Sequence, residues 1–282
     1  MSDITQLSEH DRTFLDSYLP QDACNAHTNE TSSSGLQQCH RVRASATEKH
    51  DLPFVTLTYA SSLDSMIALA PGARTTLSGP ETKSMTHYLR LRHDAILIGA
   101  GTAAIDDPGL NCRYPKVSLH DQPRPVIVDP NRRWKGESKK AFRLAAESQG
   151  KAPWIVTRAS VASSLDPLLQ IGGDYLILED DHPSSSDTAI SWVSILRALK
   201  HRGIDSVMIE GGATVINTLL SLPDLVDSLI ITIAPTFLGQ GGVAVSPTPK
   251  TKNGQRINSA WLDKASWRQF GNDVVLCGRL RR

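Results

Sequence analysis

Short apolar runs alternate with amphipathic segments from about residue 53 to the end of the chain. Eight of these runs are almost entirely apolar, which is typical of strands buried on both faces of a sheet. They predict strands at 54–59, 95–98, 126–128, 154–157, 175–178, 206–209, 229–234 and 274–276.

Helical patterns lie between several of these runs. Pro80 begins one that extends to about residue 92, and another follows Gly212 and ends before Pro223. A third has apolar residues every three positions from residue 190, and Asp187 or Thr188 is suited to cap it. Alternating strands and helices predict an α/β fold with a mostly parallel central sheet flanked by helices. The helix-poor stretch 235–273 predicts antiparallel strands at one edge.

The first 50 residues have a different texture. Between residues 21 and 50 no aromatic residue occurs, and Ser, Thr, Asn and Gln fill 12 of the 30 positions. Such a stretch buries too little surface to offset its ordering entropy. Residues 11–20 form a short amphipathic segment that is suited to dock on the body through Phe14, Leu15, Tyr18 and Leu19. We therefore expect an N-terminal arm at 1–50, partly helical or mobile, and one domain at 51–282.

The net charge, the length of the apolar runs and the spacing of the cysteines exclude several classes of protein. The chain has 30 Lys and Arg against 29 Asp and Glu, a net charge of +1, which argues against a dedicated nucleic-acid binder. Its apolar runs are far shorter than the ~18 residues that a membrane span needs. No secretory signal is visible, and the four cysteines form no CxxC motif. We expect a soluble cytoplasmic protein that acts on neither nucleic acid nor membrane.

The first candidate for chemistry follows the predicted strand 95–98. Gly99 and Gly101 precede Thr102 there, so the main chain can approach a phosphate or ribose closely, and the threonine hydroxyl adds a donor. A third glycine is absent, so a plain strand-to-helix turn explains this motif equally well.

The second candidate follows the predicted strand 206–209. Gly211 and Gly212 precede an amphipathic helix, and paired glycines at a helix N-terminus form an anion site from exposed amides and the helix dipole. Glu210 would repel a phosphate, so a sugar hydroxyl or the substrate suits it better. Two strand–glycine–helix junctions in one sheet together favour a nucleotide-type cofactor.

Two further segments follow predicted strands or junctions. The run from Asp106 to Arg113 places carboxylates and an arginine near the first junction, although Asp-Pro-Gly alone indicates only a surface turn. Ser62 and Asp64 follow the first strand, where capping and ligand contact are both open. The sequence has no zinc-deaminase, GxSxG, HExxH or Walker motif, so no metal site is predicted.

The order and spacing of these junctions resemble the riboflavin-biosynthesis pyrimidine reductases, which have a dihydrofolate-reductase-like fold. The similar segments are TYASSLDSMIA at 58–68, LSGPET to NCR at 77–113, RPVIVD at 124–129, WIVT at 154–157, VMIEGGATVINTLL at 207–220 and LIITIAPTFLGQGG at 229–242. The similarity spans roughly residues 51–282, and the fungal stand-alone type fits best because no deaminase domain precedes it.

The resemblance implies an NADPH-dependent reduction of 2,5-diamino-6-ribosylamino-4(3H)-pyrimidinone 5′-phosphate. Hydride would reach C1′ of the ribose through its ring-opened imine and leave a ribitylamino chain. It also implies a homodimer formed through edge strands of the sheet, for which the apolar stretch 229–233 is suited.

Site residues follow from the same resemblance. The cofactor would be bound by Gly99, Gly101, Thr102, Asp106, Thr157, Arg158, Gly211, Gly212, Ala213, Thr214 and Val215. Among these, Thr157 is assigned to the adenosine side and Arg158 to a 2′-phosphate. The substrate would be met by Asp64, Arg90, Leu110, Arg113 and Glu210, with Arg90 at its phosphate. Asp106, Glu210 or water would supply the proton, and the sequence does not choose among them.

One departure from the family pattern keeps alternatives open. The family commonly has SxDGxxA with a cation after the glycine, whereas this chain has Ser65 and Met66 at those positions. A reductase of the same fold acting on another heterocycle, such as a pterin, therefore stays possible. An inactive nucleotide-binding paralogue is the other alternative.

Overall fold

A computed structural model describes residues 4–21, 51–158, 166–178 and 190–281. Within those ranges the helices are α1 (Glu9–Asp16), α2 (Pro80–Leu91), α3 (Ala100–Ile105), α4 (Lys140–Ala146), α5 (Pro167–Gln170), α6 (Trp192–His201) and α7 (Ala213–Leu220). The strands are β1 (Phe54–Ser61), β2 (Met66–Ala68), β3 (Ala95–Gly99), β4 (Arg124–Val128), β5 (Trp154–Thr157), β6 (Asp174–Ile177), β7 (Ser206–Ile209), β8 (Ser228–Ile233), β9 (Val243–Ala244), β10 (Lys250–Lys252), β11 (Gln255–Ile257), β12 (Leu262–Phe270) and β13 (Asp273–Leu280).

A nine-stranded sheet organises the body in the order β12-β13-β8-β1-β7-β3-β4-β5-β6. Every pairing from β8 to β6 is parallel, while β13 runs antiparallel to β8 and β12 antiparallel to β13. The predicted α/β class, the mostly parallel sheet and the antiparallel edge are therefore confirmed. Two small antiparallel ribbons, β2 with β9 and β10 with β11, lie outside this sheet.

Burial on both faces explains why the central strands are so apolar. In β3, Leu97 packs into the core that α6 and α7 cover, whereas Ile96 and Ile98 pack into the core beneath α3 and α4. Successive side chains of a strand point to opposite faces, so a strand between two layers of helices has no polar face.

The structure corrects several element predictions. Strand β12 was not predicted because its residues alternate between exposed and half-buried and include several charges. The short helices α3, α4 and α5 were also missed. Helix α6 has Ser191 at its N-cap, so the predicted cap at Asp187 or Thr188, which lie outside the described residues, is wrong. Strand β8 pairs on both sides, so the predicted edge position of 229–233 is wrong too; the edges are β12 and β6.

The N-terminal helix docks on the body as expected. Leu15 and Leu19 are fully buried and share a core cluster with residues of α2, β12 and β13. Asp11 pairs with Arg268 of β12 at 2.6 Å, and Asp16 pairs with Arg92 just after α2. This anchors residues 4–21 against the outside of α2. The boundary at residue 50 stays a prediction, because residues 22–50 lie outside the described part.

Cys112 and Cys277 are buried free thiols, and burial raises the pKa of Cys277 to about 12. Cys24 and Cys39 lie outside the described residues. In the described ranges no group of three or more His, Cys, Asp or Glu side chains is arranged to hold a metal ion. Across the same ranges no helix has the length and apolar character to span a membrane.

Candidate active site

The two glycine junctions lie side by side at one edge of the sheet. Strands β3 and β7 are paired neighbours, with Leu97 opposite Ile209, and the Glu210 N–H donates to the Leu97 carbonyl at 3.0 Å. Because the strands are parallel, both carboxyl ends meet at the same edge, where open α/β sheets bind ligands. The structure thus brings together two motifs that are about 110 residues apart in the chain. We call residues 99–102 and 211–215 together the glycine cradle.

The cradle leaves little room for side chains. A Cβ added to Gly212 would stand 2.8 Å from Thr102 Oγ1, and one added to Gly211 would stand 2.5 Å from the Val215 Cβ. A Cβ on Gly99 would meet a Val215 methyl at 3.3 Å. Gly211 and Gly212 therefore pack too closely against Val215 and Thr102 for a Cβ to enter without a shift, whereas the contact at Gly99 is only tight.

Helix α7 begins at the cradle without a side-chain cap. Gly212 is its N-cap residue and offers no acceptor of its own to the first amides. The first turn of a helix leaves N–H groups without intrahelical partners and carries partial positive charge. This terminus therefore suits an anionic group, and the predicted binding of an anion there stays a prediction.

A bidentate ion pair adjoins the cradle. Arg90 of α2 donates from Nε to Glu210 Oε1 at 3.2 Å and from Nη2 to Glu210 Oε2 at 2.9 Å. Its Nη1 donates to the Asn111 carbonyl at 3.0 Å. These three hydrogen bonds use one N–H of each guanidinium nitrogen, and the role of Arg90 at the substrate phosphate stays a prediction.

His87 joins this site although the sequence reasoning did not name it. It lies on α2 three residues before Arg90, which places both side chains on one helix face. The Arg113 N–H donates to His87 Nδ1 at 3.0 Å, and Arg113 Nη2 lies 3.1 Å from His87 Nε2. The helical spacing from Arg90 was the available signal. We call His87, Arg90, Arg113 and Glu210 the arginine cluster.

The environment keeps His87 neutral. Burial lowers the pKa of its imidazole to about 3, and the positive charges of Arg90 and Arg113 act in the same direction. An imidazolium there would be a third cation beside two guanidinium groups. His87 is therefore a neutral side chain with one accepting and one donating nitrogen.

The loop 110–113 is held tightly against α2. The Cys112 N–H donates to the Gln122 side chain at 2.7 Å, and the Cys112 thiol donates to the His87 carbonyl at 3.1 Å. Leu110 has a positive φ of 58° and a side chain buried in the core. Only the main chain of Leu110 is thus placed to meet a substrate, a role that stays a prediction.

The two predicted acid–base carboxylates differ in their surroundings. Burial raises the pKa of Asp106, and the positive charge of Arg74 opposes this shift. Glu210, in contrast, accepts two charge-assisted hydrogen bonds from Arg90. Both oxygens of this carboxylate are thus engaged as hydrogen-bond acceptors. Asp106 is therefore the better placed of the two to carry a proton.

Thr157 and Arg158 lie at the end of β5, two strands away from β3. At ~4.8 Å per strand, the two strand ends are about 10 Å apart. Thr157 is buried and donates from its hydroxyl to the Pro130 carbonyl at 3.3 Å, and Arg158 donates to the Asn131 side chain at 3.2 Å. An extended ligand is needed to reach both this end and the glycine cradle.

Asp64 links its own loop to the loop that contains Leu238 and Gly239 through hydrogen bonds. Its carboxylate accepts hydrogen bonds from the Leu238 N–H at 3.1 Å and the Gly239 N–H at 2.8 Å, and from the Ser62 hydroxyl. These donors lower the pKa of Asp64 to about 2, the Ser62 hydroxyl contributing most. Contact between Asp64 and a substrate stays a prediction.

Ser65 occupies the position where the family pattern has glycine. Ser65 has a φ of 61°, in the left-handed region that glycine enters without steric cost. The chain therefore keeps a backbone that favours glycine while carrying a serine. Met66 pairs with Ala244 in the ribbon of β2 and β9.

Comparisons with known proteins agree with this architecture. Residues 53–276 match the family model described as the RibD C-terminal domain. The chain is 41% identical over 280 residues, 98% of each chain, to the 2,5-diamino-6-ribosylamino-4(3H)-pyrimidinone 5′-phosphate reductase of Saccharomyces cerevisiae. It is 44% identical to the protein of the same name from Candida glabrata, over 81% of this chain and 90% of that protein.

Solved structures show the same relationship. The structure of the Saccharomyces cerevisiae riboflavin biosynthesis reductase Rib7 has a TM-score of 0.71 and 38% identity, over 97% of this chain and 100% of that chain. The bifunctional deaminase and reductase of Thermotoga maritima has a TM-score of 0.62 and 25% identity, over 82% of this chain and 57% of that chain.

Proposed function

This chain belongs to the RibD C-terminal domain family, and we propose that it uses NADPH to reduce 2,5-diamino-6-ribosylamino-4(3H)-pyrimidinone 5′-phosphate in riboflavin biosynthesis. The product carries a ribitylamino chain, and the reduced atom is C1′ of the ribose. The observation that carries the proposal is the bidentate pair of Arg90 and Glu210 beside the glycine cradle. It places the Glu210 carboxylate, which would accept hydrogen bonds from ribose hydroxyls, next to the N-terminus of α7, which would bind the pyrophosphate.

The residues present fit a nicotinamide dinucleotide. The N-terminus of α7 has no side-chain cap, and Gly212 approaches Thr102 while Gly211 approaches Val215, so added Cβ atoms at these two glycines would narrow the cradle. Gly99, Gly101, Thr102 and residues 211–215 would hold the pyrophosphate and the adjoining ribose. Thr157 and Arg158 would receive the adenosine end, where the guanidinium group favours a 2′-phosphate and hence NADPH over NADH. A bound nicotinamide supplies the hydride.

The protein groups orient the substrate and supply a proton. Glu210, fixed by Arg90, accepts hydrogen bonds from ribose hydroxyls and so sets the position of C1′. Reduction of an imine also requires a proton on nitrogen. Asp106 provides it, because its raised pKa maintains a protonated fraction at higher pH than an ordinary aspartate would.

Purified full-length protein tests the proposal directly. Mixed with NADPH and the ribosylaminopyrimidinone phosphate, it is expected to oxidise NADPH, measured as loss of absorbance, and to form the ribitylamino product, identified by mass spectrometry. We expect NADH to support a lower kcat/KM. Tight NADPH binding without turnover of this substrate would contradict the proposal. Turnover of a pterin instead would favour the alternative reductase.

We also propose that the chain forms a homodimer in the cytoplasm. Strand β12 is a nine-residue edge strand, and Trp261 before it and Trp267 within it are 59% and 60% exposed. Long edge strands with exposed apolar side chains invite pairing with another chain. Light scattering on the purified protein is expected to give twice the chain mass of 30.7 kDa. A monomer mass at working concentrations would contradict the dimer.

A further inference from the structure

The N-terminal segment, by which we mean residues 4–21, holds α2 on a side of the helix that the arginine cluster does not use. Asp16 accepts a hydrogen bond from the Tyr88 hydroxyl at 2.6 Å and pairs with Arg92, four residues further along. Each residue of a helix turns the chain by about 100°, so these two positions form one stripe and the cluster residues of α2 form another. The segment precedes residue 53, where the family match begins.

The same segment binds the loop that carries Arg113. Tyr114, the next residue, is buried, and its hydroxyl accepts a hydrogen bond from the Leu7 N–H at 2.9 Å. Its ring packs against the ring of Tyr88, with the two centroids 5.4 Å apart. The helix and the loop that supply the arginine cluster thus meet each other at the N-terminal segment.

The segment is held in turn by the antiparallel edge of the sheet. Asp11 pairs with Arg268 of β12 at 2.6 Å, and the Tyr18 hydroxyl donates to the Lys264 carbonyl at 2.7 Å. Strand β12 carries no residue of the arginine cluster. One set of contacts therefore attaches the segment to the sheet, and the other set reaches the two elements of the site.

We infer that the N-terminal segment is a positioning element for substrate binding, and that Asp16 and Tyr114 are the positioning residues through which it fixes α2 and the loop 110–113 relative to each other. The inference rests on the proposed function. Arg90 and Arg113 come from separate elements, so a substrate that contacts both binds well only if their spacing is set in advance. Both positioning residues act through these elements.

A role in stability alone would give a different pattern. The pair of Asp16 with Arg92 and the pair of Asp11 with Arg268 are both partly buried contacts of a carboxylate with a guanidinium group. If the segment only stabilised the fold, the loss of either pair would have the same consequence. If the segment positions the arginine cluster, only the contacts with α2 and the loop affect substrate binding.

Two matched pairs of variants use this difference. Asp16→Asn weakens the ion pair with α2, and Asp11→Asn weakens the ion pair with β12. Tyr114→Phe keeps the ring but removes the acceptor of the Leu7 N–H, and Tyr18→Phe removes the hydroxyl that binds β12. Within each pair the lost contact is of the same kind, so the melting temperatures should fall by similar amounts.

Steady-state kinetics of the full-length proteins with NADPH and the pyrimidinone phosphate measures the positioning. We expect Asp16→Asn and Tyr114→Phe to raise KM for the pyrimidinone phosphate about fivefold, while kcat and NADPH affinity stay within about twofold of the wild type, because one hydrogen bond to a support is lost and the glycine cradle is untouched. Asp11→Asn and Tyr18→Phe should keep the KM of the wild type.

Hydrogen–deuterium exchange of the same proteins measures the stability of the two elements without turnover. We expect the amides of α2 and of the loop 110–113 to exchange several times faster in Asp16→Asn and Tyr114→Phe than in the wild type. In Asp11→Asn and Tyr18→Phe the faster exchange should be confined to β12 and the N-terminal segment.

Several results would overturn the inference. These are an unchanged KM in either Asp16→Asn or Tyr114→Phe, an equal rise of KM in the matched controls, unchanged exchange of α2 and the loop 110–113, or a parallel loss of NADPH affinity that marks general destabilisation. If exchange of α2 and the loop rises selectively but the wild type does not reduce the pyrimidinone phosphate, the proposed function fails and the positioning of the two elements by the segment stands.

Discussion

The glycine cradle and the arginine cluster lie at the same edge of the sheet but are built in different ways. In the cradle, the main chain is the part proposed to bind, and an added Cβ would stand 2.8 Å from Thr102 at Gly212 and 2.5 Å from Val215 at Gly211. In the cluster, long side chains from α2 converge with Glu210 and with the loop 110–113. Each cluster residue depends on a partner from another element.

Because of this difference, the glycine cradle and the arginine cluster should respond differently to substitutions. A main-chain site tolerates no added bulk, because its geometry is fixed by the packing of two strand–helix junctions. A side-chain site responds to the loss of any one partner, because the remaining charged group is left without compensation. Substitutions in one region should therefore alter cofactor binding, and those in the other should alter substrate binding.

The largest expected effect is in the cradle. Gly212→Asp places a carboxylate at the N-terminus of α7 and bulk against Thr102, so we expect NADPH affinity to fall about a thousandfold, since close like charges cost several kcal/mol. Fluorescence titration measures the affinity. Binding of ribose 5-phosphate, the sugar phosphate part of the proposed substrate, should be retained. Ala104→Asp, which adds the same charge to an exposed position of α3, is the control and should change NADPH affinity little. Unchanged NADPH binding by Gly212→Asp would show that the cofactor site is misplaced.

Breaking the ion pair should have the next largest effect. Glu210→Gln preserves shape but leaves the half-buried Arg90 without its carboxylate, and it removes the strong acceptor for ribose hydroxyls. We expect kcat/KM for the substrate to fall about a hundredfold, with NADPH affinity within a factor of about three. Steady-state kinetics measures kcat/KM for the substrate, and fluorescence titration measures the affinity for NADPH. Equal losses in both would mean that the cradle and the cluster act as one unit.

Asp106 follows the last residue of α3, the helix that begins at the glycine cradle, and it should give kcat a characteristic pH dependence. Because burial raises its pKa, the acid form persists to higher pH than for an ordinary aspartate, and kcat falls as pH rises through that pKa. Asp106→Asn removes this dependence and is expected to lower kcat about tenfold, since water replaces the donor. A pH profile of kcat for both proteins is the measurement. An unchanged profile in the variant would exclude Asp106 as the proton donor.

The smallest effect concerns the turn that carries Ser65. Ser65→Gly removes the cost of a left-handed φ, so the free energy of unfolding should rise by about 0.5–1 kcal/mol without a change in either affinity. Denaturant titration measures this stability. Ser221→Gly is the matched control, because Ser221 has a φ of −83° at the end of α7 and should lose stability. A loss of stability in Ser65→Gly would contradict the strain argument.

The sequence was most informative where close packing around the main chain restricts which residue types fit. Apolar runs predicted the central strands because both faces of these strands are covered. Gly211 and Gly212 marked the second junction because the close packing there leaves no room for a Cβ unless a neighbour shifts. Strand β12 escaped prediction because only part of its surface is buried, so its pattern carries little signal. The predicted N-cap of α6 was wrong because several Ser, Thr and Asp residues precede this helix in the sequence, and any of them has a side chain that can cap a helix N-terminus.

Side-chain partnerships required the tertiary structure. The sequence offered Arg90, Arg113 and Glu210 as separate candidates, and nothing local indicated that Arg90 binds Glu210 or that His87 contacts Arg113. These contacts join residues up to 120 positions apart, and they depend on how α2 packs beside β7 and on the path of the loop 110–113. The sequence by itself determined the class of fold, the glycine cradle and the candidate residues. Only the tertiary structure decided which charges are paired, because that depends on distances in space that no spacing along the chain encodes.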